Sequence, residues 1–251
     1  MSVALAVALA AAAAAAPAAE TREPAAVAVA RRTLAAMGGE EGFAKLRTLK
    51  FDFVVERDGS EIARIHHVWD RWDGRYRVEG KTRTGSAFLT LLNVQKRGEG
   101  RAWLDGRELG GDERRDALER GYGRFINDTY WLLMPAKMLD PGVHLASEGE
   151  MQRDGKTFDV VRLTFDDDIG LTPKDTYWAF VAKDTGLMER WEFVLTGQKP
   201  EEREAFVWED WQPVGGVRLS LAKKAAGEGT VIKFDHVSGS GADDDAAFAA
   251  P

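Results

Sequence analysis

The sequence of 251 residues contains no cysteine. This absence excludes disulfide bridges, a thiol nucleophile, a thiolate metal site and a lipid anchor attached through cysteine. A chain of this length does not need disulfides, because it is long enough to bury a sizeable core without them. The composition therefore predicts an ordinary globular protein of one large domain or two small ones.

A basic stripe is also missing. The net charge is −7, the isoelectric point is about 5.3, and acidic and basic residues are mixed along most of the chain. Nucleic-acid-binding proteins concentrate Lys and Arg on one face or along one helix. The charge pattern therefore argues against a nucleic-acid partner.

The chain has no apolar run long enough to span a membrane as a helix. Its longest run, about 14 residues near the N-terminus, falls short of the roughly 20 that a spanning helix needs. The run precedes Ala16-Pro17-Ala18, a small-x-small pattern typical of signal-peptidase cleavage, although no Lys or Arg precedes it. We predict a signal peptide over residues 1–19 and a soluble periplasmic or secreted protein, with a low-complexity alanine tract as the alternative.

The remainder is predominantly strand-like. Residues 25–37 have helical spacing and end at Gly38-Gly39, after which polarity alternates with a period of two and Asp58-Gly59 predicts a hairpin turn. We predict one domain over residues 20–240 and a disordered tail over 241–251. The eleven predicted strands cover residues 49–56, 62–69, 75–79, 87–94, 100–104, 158–165, 175–182, 187–195, 203–211, 217–222 and 230–237.

One passage departs from this pattern, NDTYWLLMPAKMLDPG at residues 127–142. Its apolar residues have helical spacing, the charged stretch before it predicts a first turn capped by Asp112, and Pro135 predicts a kink or an end near Trp131. A helix over residues 123–138 that is apolar on two sides suits the concave side of a curled sheet. We therefore predict a mainly β (α+β) fold: a strongly curved antiparallel sheet forming an unclosed barrel, with the N-terminal and mid-chain helices covering its concave side.

This organisation resembles the periplasmic lipoprotein-sorting carriers, the LolA/LolB-like proteins. The resemblance rests on the signal peptide, the first helix ending in Gly-Gly, the strand meander with helical residues inserted mid-sheet, and the segments NDTYWLLMPAKMLDPG, LTPKDTYWAFV and GLMERWEF. The last three also look like an exported bacterial family of that superfold. The resemblance covers residues 25–237 and implies a half-barrel that encloses acyl chains. No single residue's role carries over, because no stretch matches the carriers' own motifs position by position.

Aromatic residues and methionines are the candidates for such a cavity. Eight Trp is many for this length, and Trp and Met contribute large, adaptable apolar contact areas. The alternative is that these side chains fill an ordinary core. The predicted ligand-binding residues are Trp131, Met134, Met138, Trp178, Trp191, Phe193 and Trp208.

No pattern predicts a metal or a cofactor. His66 and His67 are adjacent in a strand and point to opposite faces, and Asp166-Asp167-Asp168 lacks the calcium-loop pattern. No catalytic motif is present either, so no catalytic residue is predicted. Asp128, Lys137, His144 and Asp175 are candidates by residue type alone.

The sequence therefore predicts a non-catalytic, monomeric exported protein that binds a hydrophobic small molecule or a lipoprotein acyl chain. Transient contact with envelope membranes or membrane proteins would accompany lipid or lipoprotein carriage. Two alternatives remain. One is a periplasmic hydrolase whose active site lies on the same concave side of the sheet, and the other is a structural or interaction module whose concave side is filled by its own core.

Overall fold

The computed structural model describes residues 21–227 and 229–251, so the predicted signal peptide, residues 1–19, lies outside them. The described chain has three α helices, α1 Pro24–Ala36, α2 Gly39–Lys45 and α3 Gly111–Leu133. Three 3-10 helices cover Met134–Lys137, Pro200–Glu202 and Asp245–Phe248. No helix in these ranges is long and apolar enough to cross a membrane.

The strands form a single antiparallel sheet that does not close into a barrel, as predicted. They are β1 Thr48–Arg57, β2 Ser60–Asp70, β3 Arg75–Lys81, β4 Ala87–Asn93, β5 Gly100–Leu104, β6 Arg107–Glu108, β7 Val143–Arg153, β8 Lys156–Phe165, β9 Thr176–Ala182, β10 Met188–Val194, β11 Glu204–Val214, β12 Val217–Ala225 and β13 Thr230–Ser240.

The sheet has thirteen strands where the sequence predicts eleven. The two missed strands, β6 and β7, lie at the two edges of the sheet. β6 has only two residues, and the last six residues of β7 are all exposed. A two-residue strand, like a strand end that faces solvent on both sides, has no alternating burial, so most of these two strands carries no period of two.

Two meanders, the first formed by β1 to β6 and the second by β7 to β13, meet in the middle of the sheet. The spatial order is β6-β5-β4-β3-β2-β1-β13-β12-β11-β10-β9-β8-β7, with β1 paired to β13. The first meander ends at one edge and the second begins at the other, so α3 and the 3-10 helix after it connect opposite edges.

This connection requires the sheet to curve. The 23 residues of α3 span about 34 Å at the α-helical rise, and the 3-10 turn adds roughly 8 Å. Thirteen strands laid flat would extend about 58 Å from edge to edge at the usual strand spacing. Ala117 of α3 packs with Ala102 of β5, and Tyr130 of the same helix lies against Tyr177 of β9. These two helix residues are about 20 Å apart along the axis, whereas β5 and β9 would be about 43 Å apart in a flat sheet, so the sheet curls around α3 and the helix lies on its concave side.

The helix boundaries differ from the predicted ones. α3 begins at Gly111 rather than 123, its N-cap is Gly110, and Asp112 lies inside the first turn, so the prediction of Asp112 as cap is wrong. Pro135 ends the α helix at Leu133, two residues beyond the predicted point near Trp131. The chain then tightens into a 3-10 turn, because proline has no N–H to continue the α-helical pattern.

The first helix follows its prediction closely. Pro24 occupies the first turn of α1, where its missing N–H costs nothing, and Gly38 stops the helix with a φ of 116°. A Cβ at Gly38 would lie 2.9 Å from the Gly216 carbonyl oxygen. α2, which starts at once at Gly39, is a helix that the sequence pattern does not predict.

The tail for which composition predicts disorder lies against the first meander. Its 3-10 helix contains Asp245 and Phe248, and the Asp243 carboxylate pairs with Arg47 at 3.0 Å. The Arg75 guanidinium pairs with both Asp243 and Asp245, and it lies 4.7 Å from the ring centroid of Phe248. Ion pairs and a cation–π contact therefore hold this segment against the first meander.

Candidate functional site

Five of the seven predicted ligand-binding residues belong to the protein's own core. Met134 and Met138, with 0% and 1% of their surface exposed, lie in the main cluster together with Trp191, Phe193 and Trp208. This cluster fills the space between the strands β7 to β13, together with β1, and the helices above them. The part of the concave side for which the sequence predicts a ligand cavity is thus filled by the protein's own side chains.

Trp131 and Trp178 take different positions. The Trp131 ring is half-buried against this core, with ring centroids 4.6 Å from Trp191 and 4.8 Å from Phe206. Trp178 alternates with Tyr177 along β9 and packs on the opposite face of the sheet, where the Arg203 guanidinium lies 3.6 Å from its ring centroid. A ligand-binding role for these seven residues stays a prediction.

The structure contains a cavity elsewhere, between α3 and the first meander. Its volume is about 500 Å³, within the range of 300–1,000 Å³ that ligand pockets usually have. The lining residues are Lys81, Thr82, Arg83, Phe88, Thr90, Trp103, Leu104, Leu109, Ala117, Arg120, Gly121, Gly123, Arg124 and Asn127. None of the seven predicted residues is among them.

The helix approaches the sheet closely beside this cavity. A Cβ at Gly121 would lie 3.0 Å from Thr90 Cγ2 and 3.3 Å from Leu92 Cδ2, so any other residue here would push α3 or these side chains apart by a few tenths of an ångström. Glycine inside a helix costs about 1 kcal/mol relative to alanine. Gly121 is therefore the sequence signal that could have located this site, since a glycine in a helix interior usually has a packing reason.

A buried polar network ties α3 to the sheet next to the cavity. His67 and Asp128 are both fully buried, with His67 Nε2 3.2 Å from Asp128 Oδ2, and His67 Nδ1 lies 2.6 Å from the Tyr76 hydroxyl. Asp128 also accepts a hydrogen bond of 2.7 Å from Asn127 and lies 3.6 Å from Arg124 Nη1. Two cavity residues thus contact a network that extends into β2 and β3.

The four catalytic candidates do not form a site. Lys137 pairs with Asp140 three residues on, and His144 Nε2 lies 2.8 Å from Asp166 Oδ1. Asp175 accepts hydrogen bonds from Thr196 and Tyr177, as a bracket between strands β9 and β10. Across residues 21–227 and 229–251, no two of Asp128, Lys137, His144 and Asp175 share a hydrogen bond or an ion pair. Nor does any group of three or more carboxylates and imidazoles in these ranges have an arrangement suited to a metal ion.

Thirteen antiparallel strands in one unclosed sheet, with its concave side covered by a helix that connects the two edges, define the class of fold. The chain has a LolA-like fold. A DUF1329 family protein from Desulfovibrio piger superimposes with a TM-score of 0.50 at 13% identity, covering 89% of this chain and 97% of that one. A LolA superfamily protein from Nitrosomonas europaea gives 0.50 at 11%, covering 90% and 97%.

A third solved structure is more distant. An outer membrane lipoprotein-sorting protein domain from Vibrio parahaemolyticus has a TM-score of 0.45 at 9% identity, covering 87% of this chain and 97% of that one. No family model and no curated protein matches the sequence. At such identities the similarity establishes the fold and leaves the ligand to be argued from the cavity.

Proposed function

We propose that this chain is an exported, non-catalytic carrier that binds a hydrophobic molecule in the cavity between α3 and the first meander. One observation carries the proposal: an opening of about 500 Å³ between sheet and helix has five apolar side chains in its wall, beside four cationic and three other polar ones. Its apolar lining residues are Phe88, Trp103, Leu104, Leu109 and Ala117. Concave, mainly apolar pockets with few polar groups are the usual sites for small ligands.

The fold supports the same assignment. A LolA-like half-barrel is the architecture for which the sequence resemblance implies acyl-chain binding, and the predicted signal peptide implies a periplasmic or secreted location. Carriage of a lipid, or of the acyl chains of a lipoprotein, is the finer assignment. The separate positions of the four catalytic candidates favour binding over hydrolysis, because acid–base chemistry needs such groups within hydrogen-bond reach of one substrate.

The first test is chemical. The protein is purified from its native host without detergent and extracted with organic solvent, and the extract is analysed by mass spectrometry. A stoichiometric amphiphile or lipid is the expected result. The delipidated protein is then titrated with N-phenyl-1-naphthylamine, an uncharged probe, and Trp103 in the cavity wall should report its binding through tryptophan fluorescence.

A pair of variants locates the binding. Leu104→Trp adds bulk at the half-buried cavity wall and should reduce probe affinity by about tenfold or more, which corresponds to about 1.4 kcal/mol. Leu195→Trp makes the same change at an exposed leucine outside the cavity and should leave binding unchanged. A protein that yields no extractable hydrophobic molecule and binds no probe would refute the carrier function.

A further inference from the structure

Four cationic side chains line the cavity. Lys81 and Arg83 lie where β3 ends and turns toward β4, whereas Arg120 and Arg124 lie on α3. Residues four apart in a helix share a face, so both arginines face the same opening. Among its described lining residues there is no Asp or Glu, although the whole chain carries a net charge of −7.

Three of these cations lack an ion-pair partner. Within the part of the chain that the structure describes, no carboxylate pairs with Lys81, Arg83 or Arg120. The fourth cation, Arg124, makes one long contact of 3.6 Å with Asp128. Several neighbouring arginines are paired: Arg77 with Glu79, Arg101 with Glu108 and Arg115 with Asp112, each at 2.7 Å. Three cations without a carboxylate partner therefore line this one opening.

The apolar and charged parts of the cavity are separated. Lys81, Arg83 and Arg120 are exposed, whereas Leu109 and Ala117 are buried. The cavity thus combines an apolar interior with a cationic rim. Guanidinium groups bind carboxylates and phosphates through short, charge-assisted and often bidentate hydrogen bonds, which are the stronger kind.

We propose that the ligand is an amphiphile with a single apolar chain and an acidic head group, a carboxylate or a phosphate. The chain lies against Leu109 and Ala117, and the head group lies between Arg83 and Arg120, with Lys81 beside them. This inference rests on the carrier function proposed above, and it adds the chemical class of the ligand and the residues that select it.

Three ligands with the same sixteen-carbon chain test the head-group selection. The delipidated full chain is loaded with N-phenyl-1-naphthylamine and titrated with palmitate, hexadecyl phosphate and hexadecanol, each supplied from the same concentration of methyl-β-cyclodextrin, and displacement of the probe gives the three affinities. Hydrogen bonds to a charged head group are the stronger kind, so at least one of the two acids should bind about tenfold or more tightly than the alcohol, a difference of about 1.4 kcal/mol. The two acids also decide between a carboxylate and a phosphate head group, and a preference for either supports the proposal.

Variants that remove positive charge test where the acidic head group binds. Arg83→Gln/Arg120→Gln should remove most of the preference for the acid and leave hexadecanol affinity unchanged. The control Arg31→Gln/Arg218→Gln removes two exposed and equally unpaired arginines outside the cavity, and should change nothing. Equal binding of acid and alcohol, or equal losses in both double variants, would overturn the head-group site while leaving the carrier function standing. Failure of all three ligands to bind would instead count against the carrier function itself.

Discussion

The His67 imidazole Nε2 lies 3.2 Å from the Asp128 carboxylate, and neither side chain reaches solvent. Burial lowers the pKa of His67, outweighing the neighbouring carboxylate, which acts to raise it. A neutral imidazole with its proton on Nε2 leaves Nδ1 to accept from the Tyr76 hydroxyl. His67 Nε2 faces the Asp128 carboxylate at 3.2 Å without forming a well-aligned hydrogen bond to it. This contact fixes α3 on β2 beside the cavity.

Removal of the Asp128 carboxylate should destabilise the fold strongly. Asp128→Ala leaves the buried His67 Nε2 without its neighbour and deprives Asn127 and Arg124 of theirs. Leaving a buried, uncharged polar group without its partner costs about 1–3 kcal/mol. Urea unfolding followed by tryptophan fluorescence measures the loss. Asp116→Ala, at an exposed site of the same helix, is the control and should change stability by less than about 0.5 kcal/mol; equal effects of the two variants would contradict a structural role for the network.

His67 should make stability depend on pH in the acid range. Its folded pKa is below the ordinary 6.5, so below pH 6.5 the unfolded chain binds the proton more readily than the folded one. The stabilisation present above pH 6.5 is therefore lost as the pH falls toward the folded pKa, by at most about 1.4 kcal/mol per pH unit. His67→Gln keeps a donor and an acceptor but cannot titrate, so its unfolding free energy should fall less between pH 6.5 and 5 than that of the unchanged protein. Parallel slopes would refute this assignment.

Patterning predicts the curved sheet but not the location of the cavity. Alternation along β10 and β11 correctly places Trp191, Phe193, Phe206 and Trp208 on one face, because the period of two is a local property. Whether that face meets a ligand or other side chains depends on which helix residues lie above it. The crossover from β6 to β7 sets that arrangement, and the sequence predicts neither strand.

The same limit applies to the cavity residues. Arg83 and Arg120 are 37 residues apart in the sequence, and no local pattern distinguishes them from other charged residues. They line the same cavity only because α3 lies across β4. Gly121 is the local signal for that crossing, since its missing Cβ allows the close approach to Thr90. When binding residues are predicted from apolar residues alone, the prediction falls on the core, because aromatic side chains and methionines are most concentrated there.

Lys223 should reduce stability at neutral pH. Its side chain is fully buried, donates a hydrogen bond to the Ser220 carbonyl, and lies 4.2 Å and 4.5 Å from the ring centroids of Phe234 and Trp208. Burial lowers the pKa of Lys223 well below 10.5, so the unfolded chain binds this proton more readily and stability should rise with pH up to about 10.5.

Lys223→Met tests this directly. The substitution should stabilise the fold by about 1–4 kcal/mol at pH 7, since an apolar side chain of similar length replaces a buried amine. It should also flatten the rise in unfolding free energy between pH 7 and 10. Lys224→Met, at the exposed neighbour paired with Glu209, is the control and should change neither quantity appreciably. A destabilised Lys223→Met protein would show that the amine contributes more than its burial costs.

Two glycines of α3 should respond oppositely to alanine. Gly121→Ala places a Cβ 3.0 Å from Thr90 Cγ2, whereas at Gly123 the nearest heavy atom, Leu171 Cδ1, is 4.0 Å away. Gly123→Ala should therefore stabilise by up to about 1 kcal/mol through helix propensity. Gly121→Ala should destabilise by about 1 kcal/mol, because overpacking outweighs that gain. Thr90→Ser removes Cγ2 and should make Gly121→Ala less costly in a double-mutant cycle; equal stabilisation by both alanines would contradict the close contact.

Trp131 discriminates between the two possible places for a ligand. Because its ring packs on Trp191 and Phe206, Trp131→Ala should cost about 3 kcal/mol of unfolding free energy, at the lower end for large aromatic truncations since the ring is half-buried. The affinity of the folded variant for N-phenyl-1-naphthylamine should stay within about twofold, a free-energy change of roughly 0.4 kcal/mol. Trp72→Ala, at an exposed tryptophan outside both regions, is the control for loss of an indole. A tenfold loss of affinity at unchanged stability would instead place the ligand against Trp131, under the second meander, and would make the cavity at β4 a secondary opening.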